Sequence, residues 1–247
     1  MPKFFVEPSK VNDGKIVIDT EDVNHIVKVL RMESGTEITV CDSAGTDYVA
    51  EICEITKASV VCNIKSSKKS DTEPKLNVTL FQGIPKGSKM EYIIQKTTEL
   101  GIKKIVPVTM SRCVSKIENK KDGEKKVSRW QKIAESAAKQ SGRGEVPEIC
   151  MPVSFSEALE SLLACDEAFA PYECEENNTI KNAISHIRGD VSVGYIIGPE
   201  GGFAPEEIDK LAASGIPSVT LGKRILRTET AGEAVLAILM YEADELQ

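Results

Sequence analysis

The sequence lacks several features that would place it in common classes of protein. No apolar run approaches the roughly 20 residues that a membrane-spanning helix needs. A glutamate, Glu7, stands where an export signal would continue apolar, so we expect no export signal and a soluble, cytoplasmic protein. The two histidines, His25 and His186, have no cysteine or carboxylate at ligand spacing, which argues against a metal site.

The motifs of three large enzyme classes are also missing. The chain contains neither the GxGxxG fingerprint of dinucleotide binding nor the GxxxxGK[ST] loop of nucleoside triphosphatases, and it has no GxSxG elbow. Cysteine is present but unpatterned, since the count of seven is odd and no CxxC pair occurs. We therefore interpret the cysteines as reduced structural thiols of an intracellular protein.

Charge is unevenly distributed along a chain whose net charge is −7. Residues 76–150 carry 15 basic and 8 acidic side chains, whereas residues 151–247 carry 6 basic and 17 acidic ones. A basic segment inside an acidic protein can form a local phosphate-binding surface, because salt screens each charge beyond roughly 10 Å. A solvated lysine face is the alternative, and charge alone favours that alternative.

The first 70 residues have the pattern of a small β-barrel. Short β-branched segments, partly alternating, are separated by turns rich in glycine, asparagine and aspartate. One short helix is expected near residues 21–30, and the polar stretch 65–74 is interpreted as a linker. The predicted strands are Lys15–Ile18, Glu37–Cys41, Tyr48–Ile52 and Val60–Ile64.

From Leu76 onward, strands alternate with helices. This alternation predicts a mostly parallel sheet with helices on both faces, and such sheets bind ligands at the carboxyl ends of their strands. The predicted strands are Val78–Phe81, Lys104–Val108, Ala168–Ala170, Val191–Ile197 and Ser218–Leu221. The predicted helices are Ser88–Leu100, Glu124–Gln140, Thr179–Ile187, one that begins after Pro205, and Glu229–Ala243.

Two segments lie where this rule places a ligand. Gly198–Phe203 (GPEGGF) has three glycines that let the backbone approach a ligand, and a glutamate that offers an acceptor or a base. A strand-to-helix turn needs glycine in any case, so this segment alone favours neither a structural role nor a functional one. Leu221–Gly232 (LGKRILRTETAG) concentrates three cations and a glutamate for which a purely structural loop has little use, and it favours function.

These two segments resemble the family of bacterial 16S ribosomal RNA (uracil N3) methyltransferases, which belongs to the SPOUT class of knotted methyltransferases. The likeness extends over nearly the whole chain. One departure is Lys223, where the family most often has proline, and only backbone contacts are expected there. The further matching blocks are His25–Arg31 (HIVKVLR), Gly83–Glu91 (GIPKGSKME), Gln95–Gly101 (QKTTELG), Arg129–Ala134 (RWQKIA), Ala137–Ala138 and Gln140–Arg143 (QSGR).

The resemblance implies a fold and an activity. The fold is α/β, a mostly parallel sheet with helices on both faces and a carboxy-terminal trefoil knot, preceded by a small PUA-like β-barrel. Residues 1–72 would form the PUA-like RNA-binding domain and residues 73–247 the SPOUT methyltransferase domain. The implied activity is methylation of N3 of a uridine in the decoding region of the 16S rRNA of the small ribosomal subunit. The resemblance also implies S-adenosylmethionine as methyl donor and a homodimer.

Methyl transfer to N3 requires loss of a weakly acidic proton, and therefore a base or a cation that stabilises the developing imidate. The candidate bases are Glu200 and Glu229, and the candidate cation is Arg227. The residues expected to contact S-adenosylmethionine are Pro171, Tyr172, Gly198, Glu200, Gly201, Leu221, Gly222, Ile225 and Leu226. The residues expected to contact RNA are Arg31, Lys86, Lys89, Arg112, Lys116 and Arg143, with the alternative that Arg31 pairs with Glu33 or Asp42.

Two other functions stay open. A 2′-O-ribose methyltransferase of the same knotted superfamily would share the donor site but would activate a hydroxyl. A non-catalytic RNA-binding protein of ribosome assembly would have no use for the polar set Glu200, Arg227 and Glu229. The last predicted helix, Glu229–Ala243, is apolar on more than one face, which favours a second subunit as the cover of one face. Burial of that helix wholly within its own domain is the alternative.

Overall fold

A computed structural model describes residues 3–115, 117 and 119–246. The chain divides into two compact units, which we call unit 1 and unit 2. Unit 1 consists of Met1–Glu73 together with Ala138–Val146, and unit 2 consists of Pro74–Ala137 together with Pro147–Gln247.

The strands follow the predicted order along the chain and include several short ones that the sequence pattern did not indicate. They are β1 (Lys3–Phe5), β2 (Val11–Asn12), β3 (Lys15–Ile18), β4 (Glu37–Cys41), β5 (Thr46–Ile55), β6 (Val60–Lys69), β7 (Asn77–Gly83), β8 (Lys104–Thr109), β9 (Glu148–Ile149), β10 (Val153–Ser154), β11 (Glu167–Pro171), β12 (Ser192–Ile197) and β13 (Ser218–Val219).

The helices flank these strands. They are α1 (Asp22–Asn24), α2 (Lys89–Glu99), α3 (Lys120–Ser141), α4 (Phe155–Leu163), α5 (Ile180–Ile184), α6 (Pro205–Ala213) and α7 (Thr228–Glu242). A 3₁₀ turn covers Pro8–Lys10, and α1 continues directly into a π-helical segment, His25–Val29. Helix α4 was missed from sequence, although Ser154 and Glu157 form a capping box at its start.

Unit 1 contains a six-stranded sheet in the order β1–β4–β5–β6–β3–β2. The pairs are antiparallel except β1 with β4. The apolar residues of its strands alternate, so that one face packs inward and forms a core that includes Ile16, Ile18, Ile38, Val40 and Ile52. The predicted strands are therefore present, and the amino-terminal β fold is confirmed.

The predicted linker 65–74 is wrong over its first half. Strand β6 continues to Lys69, and its polar end pairs with the start of β5 through Lys69 and Thr46. Residues 65–69 are exposed, so they carry no apolar signal, and the backbone ladder with β5 decides their conformation.

Arg143 has a structural place within unit 1. Its side chain is only 4% exposed, and its Nη2 lies 2.6 Å from Oε2 of Glu73. The other carboxylate oxygen of Glu73 accepts hydrogen bonds from the backbone N–H groups of Gly144 and Glu145, at 2.8 Å and 3.1 Å. The guanidinium of Arg143 is thus buried against a carboxylate and is not presented to solvent, which argues against the predicted contact with RNA.

Unit 2 is a parallel α/β sheet, as the alternation predicted. Six strands run in the order β10–β8–β7–β12–β11–β13, β9 pairs with β8, and each of these pairs is parallel. The central strands are apolar on both faces, with Leu80, Phe81, Tyr195 and Ile196 buried. Strand β8, which follows β7 in the chain, lies on one side of β7, and the later strand β12 lies on its other side. The border between β7 and β12 is therefore a topological switch point.

Strand β13 lies between the two limbs of one loop, which runs from Pro171 to Ile180. On one side Tyr172 donates its N–H to the carbonyl of Val219 at 3.0 Å. On the other side Thr220 donates to the carbonyl of Asn178 at 2.8 Å, and Ile180 donates to Thr220 at 3.2 Å. These bonds fix the start of the loop that leads to α7 beside the carboxyl end of β11. The trefoil knot implied by the resemblance stays a prediction.

Three further observations concern the described residues as a set. Among them no helix combines the length and the apolar character needed to cross a bilayer. The same residues contain no group of three or more histidine, cysteine or acidic side chains that could hold a metal ion. The seven cysteine thiols are free, and burial raises the pKa of Cys62 to about 12.

Candidate active site

Four loops meet at the carboxyl edge of the unit 2 sheet. They follow β7, β11, β12 and β13, and their ranges are 84–88, 172–179, 198–204 and 220–227. The loop after β7 is tied to the loop after β12, because the N–H of Lys86 donates to Oε1 of Glu200 at 3.0 Å. The site therefore lies beside the topological switch point, where parallel sheets bind their ligands.

Two adjoining cavities open between these loops. The smaller cavity, of about 370 Å³, is lined by the loops after β12 and β13 and by the start of α7. The larger cavity, of about 630 Å³, is lined by the loops after β11 and β13. They share Pro171, Glu173, Ile225, Leu226 and Ala231. Volumes of this size are typical of sites for small organic molecules.

Most residues expected to contact a small ligand line these cavities. Gly198 and Glu200 line the smaller one, Tyr172, Leu221 and Gly222 line the larger one, and Pro171, Ile225 and Leu226 line both. Gly201 lines neither of them. A side chain at position 201 would come within 3.0 Å of Cβ of Arg112, and the Gly201 carbonyl accepts a hydrogen bond from Arg112 Nη1 at 2.9 Å.

Glycine is required at Gly198 and at Gly222 for different reasons. A Cβ on Gly198 would lie 3.0 Å from the carbonyl carbon of Gly202, so a side chain there would press on the other limb of the same loop. Gly222 has φ = +101°, which side chains rarely adopt, and a Cβ there would meet no atom within 4 Å. Gly222 therefore borders open space in the larger cavity rather than a packed neighbour.

A buried hydroxyl joins two strand ends of the site to helix α7. Thr228 Oγ1 donates to the carbonyl of Gly198 at 2.7 Å and accepts from Nε2 of Gln82 at 2.9 Å. Thr228 and Gln82 are both buried. The first turn of α7 is thereby attached to the end of β12 and to the end of β7. A second buried bond, from the Tyr195 hydroxyl to the carbonyl of Gly232 at 2.9 Å, fixes the next turn of α7 on β12.

Lys89 holds two of the predicted catalytic residues. Its ammonium lies 3.1 Å from Glu200 Oε1 and 3.4 Å from Glu229 Oε2. The hydrogen bond to Glu200 raises the pKa of Lys89, so this side chain stays protonated at neutral pH. Burial opposes ionisation of Glu200, but hydrogen bonds from backbone N–H groups, including that of Lys86, together with Lys89 outweigh it and lower the pKa of Glu200.

The three predicted catalytic residues therefore differ in position. Glu200 lines the smaller cavity but is committed to Lys89 and to the backbone of Lys86. Glu229 lines neither cavity, and its carboxylate faces Lys89. Arg227 lines the smaller cavity and is exposed, and no ion pair of its guanidinium is found within the described part of the chain. Of the three, Arg227 alone presents an uncommitted charged group.

Glu173 was missed from sequence. It lines both cavities, is exposed, and forms no ion pair or hydrogen bond through its carboxylate within the residues that the structure describes. The signal for it was present, because Glu173 directly follows the predicted Pro171–Tyr172 at the end of β11. The other missed feature is Thr228, whose buried bonds depend on tertiary contacts.

The residues of unit 2 that were predicted to contact RNA differ in exposure and in their partners within the fold. Lys86 is exposed after β7, and Arg112 is exposed after β8 although its guanidinium also binds the Gly201 carbonyl. Lys89 is half-buried between two carboxylates and is not a free cation. Lys116 lies outside the described residues. In unit 1, Arg31 is exposed.

Comparison with known proteins gives independent information on this chain. A family model described as an RNA methyltransferase domain matches residues 72–240, and one described as an RNA methyltransferase PUA domain matches residues 18–65. The protein named Ribosomal RNA small subunit methyltransferase E from Bacillus subtilis (strain 168) is 35% identical to the chain over 254 residues. That match covers 100% of this chain and 99% of the Bacillus protein.

Two solved structures are similar over the same extent. One is Ribosomal RNA small subunit methyltransferase E from Neisseria gonorrhoeae bound to S-adenosyl methionine, at 31% identity and a TM-score of 0.85. The other is a methyltransferase from Legionella pneumophila in complex with the cofactor SAM, at 31% identity and a TM-score of 0.87. Each comparison covers 98% of this chain and 98% of the other.

The fold and the matching models define an RNA methyltransferase with an amino-terminal PUA domain. The extent and level of identity specify the group further. The chain belongs to the family of ribosomal RNA small subunit methyltransferase E. The family resemblance found in the sequence is thereby confirmed, and so is the predicted fold class apart from its knot.

The Thr228 hydroxyl predicts a measurable loss of stability when it is removed. Thr228→Val keeps the side-chain shape but leaves the buried Gly198 carbonyl without its donor. We expect the free energy of unfolding to fall by about 1–3 kcal/mol. Thr228→Ser keeps the hydroxyl and is expected to remain within about 1 kcal/mol of the parent. Urea denaturation measures both variants, and a valine variant as stable as the serine variant would show that the hydroxyl does not join the strand ends.

Proposed function

We propose that this protein transfers a methyl group from S-adenosylmethionine to N3 of a uridine in the decoding region of 16S rRNA. The observation that carries the proposal is the pair of adjoining cavities at the carboxyl edge of the unit 2 sheet. One cavity can take the methyl donor, and the reacting base can meet the donor where the cavities join. The relatives named above, two of which were crystallised with this donor, support the choice of ligand.

The residues present fit S-adenosylmethionine. Gly222 borders open space at a positive φ, so a ligand can approach the backbone of the loop after β13. Ile225, Leu226 and Ala231 supply apolar surface for an adenine ring, and Glu173 supplies a negative charge close to where the cavities join. When bound, the donor supplies an electrophilic methyl group on a positively charged sulfur.

The protein must make N3 of uridine nucleophilic. The N3 proton has to leave as the N–C bond forms and the S–C bond breaks, and the negative charge spreads onto the two carbonyl oxygens of the base. Arg227 and Lys89 are the cations that line the smaller cavity, and both can stabilise that charge. Glu200 and Glu229 hold Lys89 in position, and their role here is positioning.

We assign proton acceptance to Glu173 rather than to Glu200. A base needs a carboxylate that is free to accept a proton. The pKa of Glu200 is lowered and its oxygens are engaged, whereas Glu173 lines both cavities with its carboxylate free of partners among the described residues. Glu173 therefore replaces the two bases proposed from sequence.

The donor site is tested at Gly222. Gly222→Val places a branched side chain in the open part of the larger cavity, and we expect S-adenosylmethionine binding to be lost in calorimetry without RNA. Gly215→Val is a matched control, because Gly215 also has a positive φ of 81° and open space around a Cβ but lines neither cavity. The control bears the same backbone strain and should bind the donor normally. Equal affinities in both variants would contradict the pocket assignment.

The target atom is tested on ribosomal RNA. We expect rRNA from a strain deleted for this gene to lack one N3-methyluridine that returns on complementation, as detected by mass spectrometry of digested nucleosides. Complementation with Arg227→Ala should restore little of it, because loss of one charge-stabilising donor costs a factor of about 100 in rate. A methyl group found on ribose would support the 2′-O alternative. An unchanged map together with absent donor binding would support the non-catalytic alternative.

RNA binding by unit 2 is proposed at Lys86 and Arg112, the exposed cations that follow β7 and β8. Each phosphate contact releases counterions, so Lys86→Ala and Arg112→Ala should each lower the slope of log affinity against log salt by about one unit. S-adenosylmethionine affinity should not change in either variant. If both variants bound RNA like the parent at every salt concentration, the basic segment would be a solvated lysine face rather than an RNA-binding surface.

We also propose a homodimer through α7. One face of this helix is buried through Val235, Leu236 and Leu239, but Ile238 and Tyr241 on another face are 38% and 72% exposed. The neighbouring helix α2 adds Tyr92, which is 43% exposed and hydrogen-bonds Glu233 of α7 at 3.3 Å. Exposed apolar residues on two packed helices form a surface suited to a second copy.

Light scattering at micromolar concentration tests the homodimer. The parent should have twice the mass of the 26.9 kDa chain, and Ile238→Asp/Tyr241→Asp should be a monomer because each aspartate would bury a charge. Leu163→Asp, on an exposed apolar residue of α4, should remain a dimer. A monomeric parent would refute the proposal.

A further inference from the structure

The π-helical segment of unit 1 ends in an exposed turn, Lys28–Arg31, with an unusual composition. Val29 is 66% exposed and Leu30 is 38% exposed. Within the described residues of unit 1, these two are the only large apolar side chains that are exposed, and they are adjacent. Scattered exposed apolar residues are ordinary, but a pair confined to one turn of an otherwise well-packed unit indicates a contact surface.

The turn is held rigidly at its base. Ile26 is fully buried in the unit 1 core and Met32 packs against the same core, so both ends of the turn are fixed. The N–H of Met32 donates to the carbonyl of Ile26 at 3.0 Å, and the N–H of Leu30 donates to the carbonyl of His25 at 2.9 Å. Arg31 has φ = +52°, a conformation that is uncommon outside glycine and often marks functional sites.

The charge around the turn is positive. Lys28 and Arg31 flank the apolar pair and are exposed, and neither forms an ion pair with another described residue. The alternative that Arg31 pairs with Asp42 does not apply, because Asp42 is buried and accepts hydrogen bonds from the backbone of Ala44 and Thr46.

We propose that the Lys28–Arg31 turn binds an unpaired nucleotide of the RNA substrate, with the base or ribose against Val29 and Leu30 and phosphates at Lys28 and Arg31. This proposal rests on the proposed function and extends it to the mode of contact by unit 1. An unstacked nucleotide has an apolar face and a charged backbone at short separation, which matches two apolar side chains between two cations. A rigid turn of this kind loses little conformational entropy on binding.

A protein partner is the less favoured occupant. Protein interfaces concentrate aromatic residues and need a contact area of several hundred square ångströms on each side, whereas this surface consists of two aliphatic side chains between positive charges. The cations point to a polyanion, and the exposed apolar pair distinguishes this turn from a plain lysine face.

The test separates the apolar contribution from the ionic one. Affinity of the full-length protein is measured by filter binding between about 50 and 200 mM salt. The probes are unmodified 16S rRNA transcribed in vitro and small ribosomal subunits from a strain lacking the gene. Val29→Ser/Leu30→Ser should weaken binding to both probes by about tenfold at every salt concentration with an unchanged salt slope. Arg31→Ala should lower the slope by about one unit.

Matched controls come from the same chain. Leu163→Ser removes an exposed apolar side chain of α4, and Lys57→Ala removes an exposed cation from another turn of unit 1; both should bind RNA like the parent. S-adenosylmethionine calorimetry and thermal unfolding of every variant should match the parent, because the substituted residues are exposed.

Three results would overturn the inference. The first is parent-like RNA affinity in Val29→Ser/Leu30→Ser, and the second is an equal loss in Leu163→Ser. The third is a loss with small subunits but none with naked 16S rRNA, which would assign the turn to a ribosomal protein. Failure of the proposed function is distinct from these, since the parent itself would then bind neither probe or would not bind the methyl donor.

Discussion

The hydroxyl of Thr228 connects the parts from which the site is built. It sits at the first residue of α7, donates to the carbonyl of Gly198 at the start of the glycine-rich loop and accepts from Gln82 at the end of β7. Gly198 leaves no room for a Cβ, because a side chain there would press on the backbone of Gly202 and Phe203 in the same loop. The positions of Arg227 and Glu229, on either side of Thr228, follow from this attachment. The shape of the smaller cavity therefore depends on one buried hydrogen-bonded group.

The second constraint is that several cations already have partners inside the fold. The basic middle of the sequence suggests a broad RNA surface, but several of its cations have partners inside the fold. Lys89 is held by Glu200 and Glu229, Arg143 by Glu73, and Arg112 binds the Gly201 carbonyl. The carboxylates that bind Lys89 and Arg143 neutralise charge that would otherwise be available to phosphates, whereas the neutral carbonyl leaves the charge of Arg112 in place. The surplus of cations in the sequence thus overstates the surface available to RNA.

Much of the fold could be predicted from the sequence because its signals are local. Alternating β-branched residues give the strands of unit 1, and apolar strands between amphipathic helices give the parallel sheet of unit 2. Some elements were missed. The polar end of β6 has no apolar pattern and depends on pairing with β5, whereas α4 has a local signal that was overlooked, the capping box of Ser154 and Glu157. The glycine-rich loops were placed correctly because glycine at a strand end has few uses other than a tight turn or a close approach.

By itself, the sequence determined the fold class, the family and the two loops that carry the site, because each is encoded in residue types at fixed spacing along the chain. Only the tertiary structure decided which charges are free. Arg143 and Arg31 look alike in sequence, yet one is buried against Glu73 and the other is exposed beside Val29 and Leu30. Glu200 and Glu173 are both glutamates at strand ends, yet only Glu200 is bound by Lys89. Burial and partners depend on segments distant in sequence, such as those of Glu73 and Arg143, which lie 70 positions apart, and no local pattern records them.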